Sequence, residues 1–228
     1  MEKIQIDDVL RKLSKEKKIF YSEGDFQFSL GCKLKCMYPN IDIVLEKSMD
    51  GRKRTSDGKT AIEHIDMFVY NEQIKIGIEL KFIKDKFSGT VDSNYYDLKP
   101  GMAYDLKCYD ILKDIQRLKN YVENKSIDIG YSIVLTNAKT LWTPKTSRKE
   151  SDYDEFRVFD GREILGEMDW KPATSDGTKR GRIAPINITD KYTIQWKDYS
   201  NPEPELESEL EAGNATKNLF KYMFVEVK

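Results

Sequence analysis

Residues 62–82 read IEHIDMFVYNEQIKIGIELKF, two runs of alternating character joined by a polar turn at Tyr70-Asn71-Glu72-Gln73. Alternation with period two puts successive side chains on opposite faces of a strand, so this stretch is predicted to fold as two turn-connected strands. In the first run Ile65, Met67 and Val69 share one face, and Asp66, Phe68 and Tyr70 the other. In the second, Ile74, Ile76, Ile78, Leu80 and Phe82 share the inward face, which leaves Gly77, Glu79 and Lys81 together on the opposite one. A strand otherwise apolar thus carries a carboxylate and an amine side by side, next to a neighbour carrying Asp66. The rest of the chain must build around a strand pair with three charges on it.

On the N-terminal side, residues 4–18 pattern as an amphipathic helix with Ile6, Val9, Leu10 and Leu13 on one face. Ser22 followed by Asp25 is a capping box. It opens a second helix whose first turn holds Glu23 and Asp25, where the helix dipole favours anions. That helix runs through Phe26, Leu30, Leu34 and Met37 and stops at Pro39. A strand over 41–46 and a polar, basic, turn-rich loop over 47–60 lead into the strand pair. Beyond it, an irregular stretch at 84–101 precedes a long helix from about 102 to 124, its stripe marked by Leu106, Ile111, Leu112, Ile115, Leu118 and Val122. Residues 129–136 then form a buried strand. From 154 onward the pattern is strand and turn, with strands at 156–159, 192–196 and 219–227, and an acidic loop or short helix at 201–214. The order helix, three strands, helix, strand predicts an α/β core over residues 1–150. Residues 151–228 read as a β-rich C-terminal extension packed on the same domain.

A length of 228 residues suits one well-cored domain. No apolar run approaches the ~20 residues of a membrane span, and residues 1–18 lack the apolar centre of a secretory signal; a cytoplasmic location is expected. Cys32, Cys36 and Cys108, with a single histidine in the chain, do not make a structural zinc site and are expected as buried, reduced thiols. The net charge of −1 conceals an uneven distribution: Glu203, Glu205, Glu207, Glu209 and Glu211 crowd one segment, so the remainder is net basic. Basic groups cluster at Arg52-Lys53-Arg54, at Lys145 with Arg148-Lys149, and at Lys179-Arg180 with Arg182. These segments either meet phosphates or are ordinary solvated loops.

An Asp on one strand and Glu-x-Lys on the next is the arrangement that holds a divalent cation for phosphodiester hydrolysis. Carboxylates supply hard oxygen ligands, and the amine orients an attacking water or offsets transition-state charge. Glu-x-Lys occurs four times, at Glu16/Lys18, Glu79/Lys81, Glu123/Lys125 and Glu226/Lys228. The first has too little chain before it for a preceding strand, and the third lies on a helix where i and i+2 point apart. The fourth has no carboxylate on a neighbouring strand at hairpin distance. Only Glu79/Lys81 has an Asp on an adjacent, turn-connected strand. The competing explanation is an exposed cross-strand charge pair beside Asp66. His64 lies two residues before Asp66 on the same face, where it either approaches a metal or is a polar residue at the strand's exposed start. Tyr95, Tyr96 and Trp142 either stack on bases or belong to the core.

The element order together with Asp66, Glu79, Leu80 and Lys81 resembles the PD-(D/E)xK nuclease superfamily, the restriction-endonuclease-like fold. The resemblance implies a sheet flanked by helices and Mg²⁺-dependent hydrolysis of nucleic acid, with Mn²⁺ as a substitute. It also implies Asp66 and Glu79 as metal ligands, the Leu80 carbonyl as a further one, Lys81 as the lysine, and Glu23 as the additional acid many members use. Ile65 stands where proline often precedes the first acid. A narrower likeness covers Ser22-Glu23-x-Asp25-Phe26-Gln27, Tyr109-Asp110-x-x-Lys113-Asp114-Ile115-x-Arg117-Leu118, the strand from Gly130-Tyr131 to Asn137, Trp196-x-x-Tyr199-Ser200 and Val225-Glu226-Val227. These look like a bacterial family of restriction-endonuclease-like proteins. Asp105 and Lys113, ~80° apart around the helix, match positions that look retained in that family. They either line the site and contact phosphates or face solvent.

The sequence therefore leads to the expectation of a Mg²⁺-dependent nuclease acting on nucleic acid, DNA rather than RNA, without a covalent intermediate. Asp66, Glu79, Lys81 and Glu23 are the expected site, and Lys113, Asp105, Arg52, Lys53 and Arg54 the expected nucleic-acid contacts. A homodimer follows from the resemblance, since such enzymes often cut both strands as dimers, although no heptad or apolar stripe declares an interface. The alternative is a non-catalytic nucleic-acid or protein-binding module that keeps the fold.

Overall fold

The computed structural model describes residues 4–54, 60–101, 103–203 and 218–228, with side chains described outside 50–54, 60 and 61. Two helices open the chain, α1 (Ile6–Glu16) and α2 (Glu23–Met37), followed by strands β1 (Asp42–Arg54), β2 (Thr60–Tyr70) and β3 (Lys75–Ile83). A hairpin of β4 (Phe87–Val91) and β5 (Asn94–Leu98) precedes α3 (Tyr104–Glu123) and β6 (Ile129–Thr136). The remainder is α4 (Lys139–Trp142), β7 (Glu163–Met168), α5 (Asp176–Lys179), β8 (Ile186–Thr193), β9 (Lys197–Ser200) and β10 (Phe220–Val227). Among the described residues no helix is long and apolar enough to cross a membrane.

The central sheet has six strands in the order β1-β2-β3-β6-β10-β9. Among the described residues only β3 and β6 run parallel, and α3 lies in the crossover that a parallel pair requires. The sheet is mixed, and the fold is α/β. Strands β9 and β10 belong to this sheet, so the C-terminal third completes the core. One face buries Ile76, Ile78, Leu80 and Phe82 of β3, with Tyr131, Ile133 and Leu135 of β6, against α1 and α2. The other packs Val134 and Val225 against Ile111, Leu112, Ile115 and Leu118 of α3. Covered on both sides, β6 reads as the continuous apolar run that such strands show. At Gly130 a Cβ would come within 2.9 Å of the Cβ of Leu118, so glycine is what lets α3 lie close against β6.

The cap of α2 forms as expected: Asp25 N–H donates to the Ser22 hydroxyl at 3.1 Å. The Asp25 carboxylate reaches one residue further back than a capping box, accepting from Tyr21 N–H at 3.0 Å. The turn between β2 and β3 is closed by Asn71, whose side-chain oxygen accepts from the N–H groups of Gln73 and Ile74.

Three expectations about local structure are corrected. Much of the basic stretch at 47–60 is strand: β1 continues to Arg54, and the pairing resumes past an irregularity with Arg52 opposite Ile62. Backbone pairing holds this hairpin together without an apolar alternation to announce it. The stretch at 84–101 is the β4–β5 hairpin, turning at Asp92 and Ser93, both at positive φ. Its turn carries Asp-Ser in place of the Asn-Gly that marks such turns. The expected strand at 156–159 is instead a turn of 3₁₀ helix, Asp154–Phe156, followed by extended chain without a ladder partner. The acidic stretch expected at 201–214 lies outside the described residues from 204 on.

Candidate active site

The site begins where β2 loses its partners. The β1–β2 ladder pairs Leu45 with Met67 and Lys47 with Ile65 but skips Glu46 and Asp66, and Glu46 sits in the left-handed region at φ 50°. A non-glycine residue held there costs on the order of 1–2 kcal/mol. On the other side the β2–β3 ladder ends at Met67 and Ile78. Asp66 is thus released from both ladders. Gln27 of α2 fills one gap, its amide donating to the Asp66 carbonyl at 2.7 Å and to the Glu46 carboxylate at 3.0 Å. Asp66 fills the other with its own side chain, Oδ2 accepting from Leu80 N–H at 2.6 Å. One turn of pleat further, Glu23 Oε2 accepts from Phe82 N–H at 2.7 Å. Two carboxylates therefore take the place of the carbonyls that a continuing strand would have offered. The alternation slips at the same point, because Ile65 packs in one core cluster with Phe68 while Met67 and Val69 pack in the other.

On the α3 face of β3, Glu79 and Lys81 meet two helix side chains. The Lys81 ammonium lies 2.8 Å from Asp114 Oδ2 and donates to the Leu80 carbonyl at 3.1 Å. Arg117 Nη2 pairs with Glu79 Oε1 and lies 3.4 Å from Asp114 Oδ1. Glu79 is only 1% exposed, which overturns the reading of it as half of an exposed surface pair. Both of its oxygens, Asp114 Oδ2 and Arg117 Nε are buried without a hydrogen bond; charge contact is what engages them. Native interiors rarely leave carboxylates in that state.

The electrostatics follow. Desolvation, reinforced by Asp114, pushes the Glu79 carboxyl above the usual carboxylate range. Asp114 and Glu23 are raised by desolvation as well. Desolvation would lower the Lys81 pKa, but the close negative charge of Asp114 outweighs it and the net shift is upward. Lys81 is therefore an ammonium at neutral pH.

Asp66, Glu79, Lys81, Asp114 and Arg117 face an open cleft of about 490 Å³ between β2, β3 and α3. Five carboxylates line it, Glu63, Asp66, Glu79, Asp110 and Asp114, against three cations, Lys81, Lys113 and Arg117, with His64 and Ile62 at the rim. Glu63 accepts from the Tyr121 hydroxyl at 2.9 Å. Asp110 is clamped by both ends of the Arg182 guanidinium, at 2.6 and 2.8 Å.

Of the expected residues, Asp66, Glu79 and Lys81 come together along the cleft, whereas the Leu80 side chain packs in the opposite core and only its carbonyl meets the site, accepting from Lys81. Glu23 meets β3 two residues along, at Phe82 N–H, and is not among the residues lining the cleft. Lys113 lines the cleft and donates to Gln116 at 2.6 Å; Asp105, in the first turn of α3, is not among the lining residues. Arg52, Lys53 and Arg54 lie at the far end of β1, and their side chains fall outside those described. His64 is exposed and lines the cleft; β2 begins at Thr60, so it lies within the strand and not at the exposed start expected of it. Tyr95 is exposed, whereas Tyr96 and Trp142 are buried. Cys32 and Cys36 are exposed on α2, contrary to expectation, because they fall on the helix face away from Phe26, Leu30 and Leu34; Cys108 is buried. Lys145 and Arg182 are engaged internally, by Asp154 and Asp110, which takes both out of the freely solvated basic loops expected from sequence.

Asp114 and Arg117 belong to the helix text of the narrower resemblance, but sequence reasoning gave neither a place in the site. Their signal was a charged stripe, Asp110, Asp114 and Arg117, at helical spacing beside the apolar stripe of Ile111, Ile115 and Leu118.

The donor set suits a hard divalent cation: carboxylate oxygens, two of them buried without hydrogen bonds, beside a main-chain carbonyl. In the protein as it stands Asp66 and Glu23 accept from backbone N–H groups and Glu79 is paired by charge with Arg117, and among the described residues no group of three or more His, Cys, Asp or Glu side chains is arranged to hold a metal ion. No protein-family model, no curated protein and no solved structure matches this chain.

Proposed function

We propose that this cleft hydrolyses phosphodiester bonds of nucleic acid, DNA rather than RNA, with Mg²⁺ as its cofactor. The observation that carries the reading is Glu79: a carboxylate almost wholly buried, without hydrogen bonds, in a cleft where acids outnumber bases. Such a cleft repels a polyanion unless a cation enters with it. The element order α2, β1, β2, β3, α3, β6, with the β4–β5 hairpin set between β3 and α3, supports the reading.

Asp66, Glu79 and the Leu80 carbonyl would hold the cation, with Glu23 as the further acid. Bound there, it would polarise a phosphate oxygen and lower the pKa of a water. Lys81, charged across the neutral range, donates hydrogen bonds and does not act as a base; its part is to orient the attacking water or to offset charge on the phosphate. Among the described residues lining the cleft none carries a hydroxyl or thiol, and the reading takes direct attack by water without a covalent intermediate.

Cleavage of single-stranded, double-stranded and branched DNA and of RNA, titrated with Mg²⁺ and Mn²⁺, tests the reading against Asp66→Ala and Lys81→Ala. Cleavage by the native protein alone supports it; no cleavage by any of the three sinks the enzymatic claim. The second reading, a binding module that keeps the fold, is favoured by one observation: Asp66, Glu23 and Glu79 each already have a protein partner. Calorimetry separates the two, since the enzyme binds Mn²⁺ through Asp66 and Glu79. Metal-independent, salt-sensitive DNA binding points to the module.

A further inference from the structure

We infer that Asp114 and Arg117 of α3 are positioning residues with separate tasks, Asp114 aiming Lys81 and Arg117 holding Glu79. This rests on the nuclease reading above and concerns how its site is kept in shape. Glu79 and Lys81 are two apart on one face of β3, and Asp114 and Arg117 are three apart on one face of α3. They pair crosswise, Glu79 with Arg117 and Lys81 with Asp114, and the 3.4 Å contact between Arg117 and Asp114 joins the two pairs.

The spacing across this square is set by the backbone. Helix α3 lies against β6 where Gly130 admits Leu118, and β6 is paired in parallel register with β3, Gly130 opposite Gly77 and Ser132 opposite Glu79. The helix face is therefore fixed relative to the strand that carries the site.

The two tasks differ because the contacts differ. Asp114 meets the amine through one oxygen at 2.8 Å, closer than the 3.4 Å from its other oxygen to Arg117, and the same amine is 3.1 Å from the Leu80 carbonyl. Without Asp114, a flexible four-carbon side chain would have no anion to fix it beside that carbonyl. Arg117 touches the buried carboxylate. Without it Glu79 would keep no cationic neighbour on its own oxygen and would be surrounded by Asp114 and Asp66. A buried carboxylate without its cation turns away from the position it holds.

The experiment measures two quantities on the full-length protein: Mn²⁺ affinity by calorimetry, and single-turnover cleavage with its substrate dependence. For Asp114→Asn the expected result is a turnover rate lower by about 100-fold, with Mn²⁺ affinity and the substrate concentration at half-saturation unchanged. For Arg117→Gln it is Mn²⁺ binding weakened by about 10- to 100-fold. Asp114→Glu and Arg117→Lys keep the charges and recover part of each loss, which covers the case in which the neutral variants do not fold. The inference is overturned if both neutral variants match the native protein, or if each loses metal affinity and turnover alike. It is also overturned if the charge-keeping variants are as defective as the neutral ones. If the native protein neither binds Mn²⁺ nor cleaves, the nuclease reading has failed and this inference falls with it. That outcome is distinct from a native protein that does both while its variants show no division of labour.

Discussion

The molecule carries two clusters of charge that are alike in composition and opposite in their hydrogen bonding. Around Asp154, the carboxylate accepts from Lys145 at 2.7 and 3.0 Å, from Ser151 N–H at 2.9 Å and from Arg157 at 2.9 Å, besides the Ser151 hydroxyl. Desolvation works against that carboxylate, but these donors hold it well below the usual range. Around Glu79, a carboxylate with cations close by has no hydrogen bond on either oxygen and is driven the other way. Counting ion pairs would not separate the two. Satisfied acceptors make a staple for the loop between α4 and β7, whereas unsatisfied ones facing a cleft retain something to offer an incoming cation.

The comparison breaks most visibly in activity. Glu79→Gln and Lys81→Ala are each expected to reduce cleavage by about 10²- to 10³-fold, while Asp154→Ala leaves the cleavage rate of the folded protein unchanged. A rate assay at a temperature where all three are folded decides it. Equal losses in all three would mean that the two clusters do not differ in role.

Next in size is stability. Asp154→Ala removes the acceptor from Lys145, Ser151 and Arg157 together and is expected to cost about 2 kcal/mol. Denaturant unfolding measures it, and a loss below about 0.5 kcal/mol, the level of an ordinary surface substitution, would show the staple to be ornamental.

How legible each cluster was follows from the same physics. Asp66, Glu79 and Lys81 could be read because a period-two strand places charges where apolar residues are expected. Glu23 was legible only through its place in a capping pattern and the resemblance. Asp114 and Arg117 were not singled out because a charged helix stripe is what any solvated helix shows; what makes theirs different is burial against Glu79, which depends on Gly130 drawing α3 close. The Asp154 staple was invisible, since its members lie in an irregular loop where no periodicity exists to be broken. The unzipping at Asp66 was equally hidden, because it depends on Gln27 from another element and on the left-handed turn of Glu46. Sheet order was out of reach beyond the first three strands, and β10 enters beside β6 from the far end of the chain.

A smaller effect carries the opposite sign. Glu79 sits among more acids than cations, so Glu79→Gln is expected to raise stability by about 1 kcal/mol, or roughly 2–4 °C in melting temperature for a chain of this size. A drop in melting temperature would mean that the pair with Arg117 carries net stability and that the site is a staple after all.

The finest test uses pH, because the two carboxylates are displaced in opposite directions. Asp154 has a folded pKa below its ordinary 3.8. Its stabilisation is therefore fully present above 3.8 and is lost as pH falls below that value through the folded pKa. Glu79 has a folded pKa above its ordinary 4.5. Between those two values the native state binds the proton and the unfolded state does not, so stability falls as pH rises through that window. The melting advantage of Glu79→Gln should accordingly vanish near and below pH 4.5, where the native carboxyl is already neutral, and grow toward neutral pH. The deficit of Asp154→Ala should be full at neutral pH and shrink only below 3.8. Melting curves of the native protein and both variants from pH 3 to pH 8 follow both differences in one series. An advantage for Glu79→Gln that does not change with pH would mean that Glu79 ionises normally, and the contrast between a satisfied and an unsatisfied carboxylate would be lost.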